Sequence, residues 1–221
     1  MKAMKTAAIL QSPRKASREQ RKQQMIEATI ESLAARGYAQ TTMTDVAAAS
    51  GVSHGLVNFH FETKEKLLSE TLLYLAAEYR ENWRHALAGA APSPAAQLNA
   101  LLLADFNEKI CTQSKLRAWC AFWGEAQSRP IYQEKCDAYD QACNRELEEV
   151  CARLIADGGY AHNAGRVARL LRVIVEGLWL DIMSMTTPYS RDEAIRTVYV
   201  CASALFPRHF GESGLLEQPT L

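Results

Sequence analysis

The sequence predicts an all-α protein, with a three-helix N-terminal helix-turn-helix domain and a larger helical body, about nine helices in all. Three observations lead there. Apolar residues recur at helical spacing along the chain and no β-rich segment is evident. Residues 42–61, TMTDVAAASGVSHGLVNFHF, read as two short helices joined by a tight turn. A hydrophobic content of 48% and a charged content of 23% are ordinary for a globular protein, and 221 residues suffice to bury a real core.

The chain opens on charge. Residues 1–22 hold seven Lys or Arg against the single acid Glu19, whereas residues 67–221 hold 15 basic and 19 acidic side chains, for a formal net charge of zero. A basic front end suits polyanion contact and equally suits a solvated tail. Residues 1–16 are read as a flexible basic arm. From Ser17 to Arg36 the pattern is helical, with Met25, Ile26, Thr29, Ile30 and Leu33 on one face; Gly37 stops it.

In the central stretch Thr42 and Asp45 have capping-box spacing, a hydroxyl and a carboxylate satisfying free helix-start amides. Gly51 supplies the positive φ of a helix-ending turn, and Val52 plugs the gap between the helices. Ser53 caps a second helix, His54 to His60, in which Leu56 and Val57 point back toward the body. A compact pair of this kind is the helix-turn-helix arrangement, whose second helix enters the DNA major groove. The spacing alone also fits an ordinary helical hairpin.

Thr63 caps a long helix to about Ala88, striped by Leu67, Leu68, Leu72, Leu75, Ala76 and Tyr79. Lys64 in its first turn opposes the helix dipole, which favours a role on a backbone phosphate. Gly89 to Pro94 breaks the chain, and further helices are expected at about 94–110, 115–128, 130–157, 163–186 and 190–206.

With Gly37 and Tyr38 before it and Thr63-Lys64-Glu65-Lys66-Leu67 after it, the 42–61 segment resembles the DNA-binding domain of TetR-type transcriptional repressors. The likeness covers about the first third of the chain. It implies a recognition surface of Ser53, His54, Gly55, Asn58, Phe59 and His60, with Thr42 and Lys64 on phosphates. It also implies a division into a DNA-binding domain at 17–66 and a ligand-binding and dimerisation domain at 67–221. The family usually carries Tyr where this chain has Asn58, which implies an altered base preference on a retained docking mode.

The second informative stretch is Leu116 to Trp123, in which Trp119, Phe122 and Trp123 share one helix face. Tyr132 lies a short turn away, and Trp179 sits between Glu176 and Asp181 in the most apolar helix. Aromatic walls with a carboxylate suit a quaternary ammonium, which donates no conventional hydrogen bond; each desolvated ring attracts a cation by roughly 0.5–2 kcal/mol. The same rings would also fill a helix–helix seam. Arg117 to Trp123, Pro130 and Glu176 to Leu180 are similar to the effector domain of choline-responsive, BetI-type members of the TetR family. That resemblance implies a small effector that is a cationic or quaternary amine such as choline, ahead of a hydrophobic drug or acyl ligand.

In the helix after residue 163, Val167, Leu171, Ile174, Leu178, Ile182 and Met185 form one stripe, and Leu170, Val173, Gly177 and Leu180 a second beside it. Two apolar faces imply two partners, one within the chain and one outside. The last helix offers Ile195, Val198, Tyr199, Ala202 and Leu205. In TetR-type proteins the corresponding helices form a two-fold dimer interface. A homodimer on a palindromic double-stranded operator is therefore expected.

Other functions have less behind them. The six cysteines show no C-x-x-C pair or ligand-spaced His, so no metal site or disulfide framework is expected, and Cys136, Cys143 and Cys151 read as buried small hydrophobes. Glu125, Asp181 and His162 are titratable, but no nucleophile–base spacing or phosphate loop accompanies them, so neither catalysis nor a cofactor is expected. A helical dimeric interaction module without DNA binding is the remaining alternative. With no signal peptide and no apolar run near 18 residues, a cytoplasmic protein without membrane contact is expected.

Overall fold

The computed structural model describes residues 13–125, 130–185 and 189–216; side-chain surroundings are described for 17–125, 141–185 and 189–216. Nine helices appear among the described residues: α1 (Pro13–Gln40), α2 (Met43–Ser50), α3 (His54–Phe61), α4 (Lys64–Gly89), α5 (Pro94–Ala104), α6 (Gln113–Glu125), α7 (Pro130–Gly158), α8 (Ala164–Ser184) and α9 (Arg191–Leu205). The basic arm lies largely outside them, and α1 begins at Pro13, ahead of the expected Ser17. Gly37 breaks that helix as expected, at φ 77° and ψ 176°. Beyond it, the Thr41 hydroxyl caps back onto the Gly37 carbonyl at 2.9 Å.

Two expectations fail locally. The fifth helix ends at Ala104 rather than near residue 110. Asp105 turns inward to accept bonds from two aromatic side chains, and the Asn107 carboxamide oxygen accepts the Lys109 amide at 2.9 Å, a local bond that competes with helix. After α9, a two-residue antiparallel pair, β1 (Phe210–Gly211) and β2 (Gly214–Leu215), closes a small hairpin that was not anticipated. Gly214 at φ 124° allows its turn, and Phe210 buries its ring beside Phe206.

The interior divides into two cores. One joins α1, α2, α3 and the first half of α4, from Met25 and Leu33 through Val46, Val57 and Phe61 to Leu75, and it also takes in Ala118 and Phe122 of α6. The other lies among α4 from Tyr79 onward and α5, α7, α8 and α9, around Leu98, Leu101, Val150, Leu154, Leu171 and Val198. α4 therefore runs through both, and α6 is shared between them. The whole second α8 stripe stays open: Leu170, Val173, Gly177 and Leu180 are exposed, as is Val200 on α9. The apolar α9 residues offered for a dimer interface pack largely within the chain. Val198, Tyr199 and Ala202 are buried within the chain and Ile195 and Leu205 are half-buried against the same core, while Met185 at the end of α8 is exposed.

Candidate nucleic-acid interface and effector pocket

The reading head is set by local chemistry. Thr42 and Asp45 form a reciprocal capping box: the Asp45 amide donates to the Thr42 hydroxyl oxygen at 3.2 Å, and the Thr42 amide donates to the Asp45 carboxylate at 3.1 Å. The Thr42 hydroxyl also donates to that carboxylate at 2.6 Å and holds it below the usual carboxylate range. Gly51, at φ 66°, sends its amide back onto the end of α2. Ser53 accepts the Leu56 amide at 3.2 Å and starts α3. Val57 and Phe61 are fully buried, which fixes the opposite side of α3 outward.

His54, Gly55, Asn58 and Phe59 occupy that outward side, and Phe59 is 67% exposed. The Asn58 carboxamide nitrogen lies 3.2 Å from His54 Nδ1, so the two side chains brace each other one turn apart. A Cβ on Gly55 would meet nothing within 4 Å, which leaves α3 flat there. The Arg18 guanidinium of α1 sits 5.6 Å from the Phe59 ring centre. His60 is half-buried between Phe59 and Phe61; burial, then the charges of Arg18 and Lys22, push its imidazole toward the neutral form.

The two residues expected on phosphates are already engaged. Thr42 is exposed, but its hydroxyl hydrogen points at Asp45. Lys64 is half-buried; its ammonium donates to the Ala39 carbonyl at 2.8 Å and lies 5.8 Å from the Tyr38 ring centre, which ties the start of α4 to the connection after α1.

The second site is a cavity of about 290 Å³ between α4, α5, α6, α7 and α8. All four tryptophans of the chain line it: Trp83 from α4, Trp119 and Trp123 from α6, and Trp179 from α8. Tyr79 meets Trp179 edge-on, with ring centres 5.8 Å apart, and Trp119 and Trp123 lie stacked at the mouth, 6.2 Å apart. Leu101, Leu102, Leu147, Leu171 and Val175 complete the apolar wall. The polar side chains are Asp105, Asn144, and Glu176 with its i,i+4 partner Arg172.

Asp105 is the unexpected member. It is 4% exposed and accepts the Tyr79 hydroxyl at 2.7 Å and the Trp83 indole N–H at 2.8 Å, while its backbone carbonyl accepts the Trp179 indole N–H at 3.0 Å. Burial pushes its carboxyl up to about 7 against the lowering effect of those two side-chain bonds, and the Glu176 charge raises it further. Burial and the same acid push the Tyr79 phenol well above its ordinary value.

Of the residues expected around a ligand, Trp119, Trp123, Glu176 and Trp179 come together here. Phe122 does not: it is 1% exposed inside the first core, edge-on to Tyr38 at 5.9 Å, because α6 turns its Ala118 and Phe122 face toward α1. Asp181 is exposed and is not part of the cavity wall, since it sits on the outer side of α8. The Tyr132 side chain lies outside the described residues. Tyr79, Trp83 and Asp105 escaped sequence reasoning, although Tyr79 and Trp83 stand one helical turn apart and Asp105 is the first acid after an apolar run.

The described cysteines are not joined in disulfides; burial pushes the Cys111 thiol up to about 11 and Cys151 to about 12, and raises Cys120 and Cys201 too, which keeps these four thiols protonated at neutral pH. Cys136 lies outside the described side chains. Among the described residues no cluster of three or more metal-ligating side chains occurs, and no helix is long and apolar enough to cross a membrane.

Known proteins share this architecture. Residues 25–71 match the family described as bacterial regulatory proteins, tetR family, and residues 94–206 match the BetI-type transcriptional repressor C-terminal family. The HTH-type transcriptional regulator BetI of Paraburkholderia xenovorans is 26% identical over 197 residues, covering 84% of this chain and 93% of that protein. Its namesake in Serratia proteamaculans is 26% identical over 188 residues, covering 79% and 87%. Among solved structures, a putative transcriptional regulator from Pseudomonas aeruginosa PAO1 superposes with a TM-score of 0.74 at 27% identity, covering 86% of this chain and 91% of its own. A putative regulator from Saccharomonospora viridis, solved in complex with choline, superposes at 0.71 with 17% identity, covering 81% and 94%. These are families of regulators rather than enzymes, so Glu125, Asp181 and His162 need no catalytic account. The chain belongs to the TetR family of transcriptional regulators and, through residues 94–206, to its BetI-type repressors.

Proposed function

We propose that the chain is a dimeric repressor that grips a palindromic operator and lets go when a compact cationic amine, choline being the first candidate, enters the tryptophan cavity. The observation that carries the effector class is the convergence of all four tryptophans and two carboxylates on one space of about 290 Å³. That volume is at the small end for ligand sites, which favours a compact amine over an acyl chain or a bulky drug. Choline in the Saccharomonospora viridis relative supports the same choice.

In this reading residues 17–66 form the head and 67–221 the body. Ser53, His54, Gly55, Asn58, Phe59 and His60 face the major groove, and the exposed Leu170, Val173, Leu180 and Val200 meet a second copy. α6 links the two functions. Its Trp119 and Trp123 line the cavity, whereas Ala118 and Phe122 on the neighbouring face are buried in the core of the head. A ligand that settles against the tryptophans favours one placement of α6 and, through Phe122, Tyr38 and Lys64, one placement of α3 and α4. Operator affinity falls by the ligand's differential affinity for the two placements and by no more.

The test is a gel shift on the DNA upstream of the chain's own coding sequence, with choline titrated in and tryptophan fluorescence followed in parallel. Quenching together with release of DNA is expected. If choline and related amines alter neither signal, the effector reading is lost; if no salt-sensitive DNA binding appears at all, the repressor reading goes with it.

A further inference from the structure

We propose that Asp105 seats the positive charge of the effector and releases a proton to solvent as the cation arrives. This rests on the effector reading above and assigns the counter-charge within that site.

Three observations converge on Asp105 rather than on Glu176. Among the described residues, the side-chain donors to it both reach Oδ1, and both are neutral: the Tyr79 hydroxyl and the Trp83 indole. They orient the group without balancing its charge, and they leave Oδ2 for whatever fills the cavity that Asp105 lines. Glu176, by contrast, already has its cation, since Arg172 one turn away on α8 pairs with it at 2.5 Å. Third, the Trp179 indole holds the Asp105 backbone carbonyl at 3.0 Å, so rings from α4 and α8 fix the acid at the floor of the aromatic walls.

A carboxylate this deeply buried, with neutral donors alone among the described residues, lacks a compensating charge there. An empty pocket therefore favours the protonated acid, and burial does push Asp105 up to about 7. A quaternary ammonium supplies the missing charge without donating a hydrogen bond, and the aromatic faces cover its methyl groups. The exchange balances: the neutral acid and a free cation become a carboxylate–cation pair and a proton in solvent.

Among the described residues, the other ionisable or charged groups that face this floor are Tyr79 from α4, Cys111 after α5, Cys143 from α7, and Arg172 with Glu176 from α8; α6 contributes neutral indoles. Tyr79 and Cys111 are pushed upward and stay protonated through the neutral range. Choline itself does not titrate there. One proton then couples to binding: affinity holds at pH 8 and falls as pH drops through 7, by about tenfold between pH 8 and pH 6.

The experiment is choline binding by tryptophan fluorescence, with tetramethylammonium as a second probe, from pH 6 to 8.5. Wild type is expected to follow the profile just given, and calorimetry in buffers of different ionisation enthalpy is expected to show proton release near pH 7. Asp105→Asn, which keeps an oxygen for Tyr79 and Trp83, is expected to bind choline at least tenfold more weakly at pH 8 and with a flat pH profile, with operator binding retained as the check on folding. Glu176→Gln is expected to keep the wild-type slope. A flat wild-type profile, or an Asp105→Asn variant within twofold of wild type at pH 8, overturns the role of Asp105 and leaves the amine reading standing. Absence of amine binding to wild type at every pH overturns both. The wild-type profile needs no variant, so a poorly folded Asp105→Asn does not rescue the idea.

Discussion

The head and the pocket use buried side chains to opposite ends. In the head, Val57 and Phe61 are wholly buried so that His54, Asn58 and Phe59 stand out, and each helix end is tied by a bond spanning three or four residues. In the pocket, the large side chains turn inward around room they do not fill, and an acid is buried among neutral donors. The head is a tightly tied surface made to be seen. In the proposed function, the pocket is a site that a ligand completes. The difference lies between side chains spent on fixing a surface and side chains spent on enclosing a space, and α6 touches both, with Phe122 on one side and Trp119 and Trp123 on the other.

If α6 is the shared element, its inner face matters most to stability. Phe122→Ala empties a site that is 1% exposed and is expected to cost about 3–5 kcal/mol, read as a lower denaturant midpoint. A small effect would mean that the two regions are independently built.

Next in size is the cost of the buried acid. The Asp105 carboxyl is raised from an ordinary 3.8 to about 7, so the folded chain holds its proton longer than the unfolded chain does. Stability from this group is fully present below pH 4 and is lost as pH climbs to about 7. The melting temperature of Asp105→Asn relative to wild type is therefore expected to be nearly unchanged at pH 4 and raised by several degrees from pH 7 upward. The same scan on the head, where Asp45 is held low by the Thr42 hydroxyl, carries the opposite sign: Asp45 loses its contribution as pH falls through the acid range.

The head is broken at its surface rather than its core. His54→Ala with Asn58→Ala is expected to weaken operator binding by about 1–3 kcal/mol per lost base contact, with melting temperature and choline quenching unchanged. Asn58 presents the carboxamide that pairs with adenine, so selection from random duplexes is expected to recover an adenine whose preference Asn58→Ala relaxes. Smallest is the turn. Gly51→Ala places a Cβ at φ 66° and is expected to cost about 1 kcal/mol by thermal melt, since space is open around it and backbone strain alone opposes it.

These two regions were not equally legible. The capping residues Thr42 and Ser53, the left-handed Gly51 and the inward Val57 could be named from the chain because each acts on neighbours within four residues. Trp119, Trp123 and Trp179 could be suspected from composition, yet grouping Phe122 with them failed. Adjacent faces of one helix look alike in sequence, and only the position of α1 decides which face is covered. The α9 stripe offered for a dimer seam shows the same limit, because Val198, Tyr199 and Ala202 pack within their own chain.

The chain by itself determined the helices, their caps and the helix-turn-helix, since these follow from periodicity and from hydrogen bonds between residues close in sequence. Tertiary structure alone decided that Asp105 on one helix end meets Tyr79 and Trp83 from a segment 22 to 26 residues earlier and Trp179 from one 74 residues later. No local rule encodes such a meeting, because a cavity is a property of how helices pack. The ionisation of a buried acid likewise depends on which groups that packing brings around it.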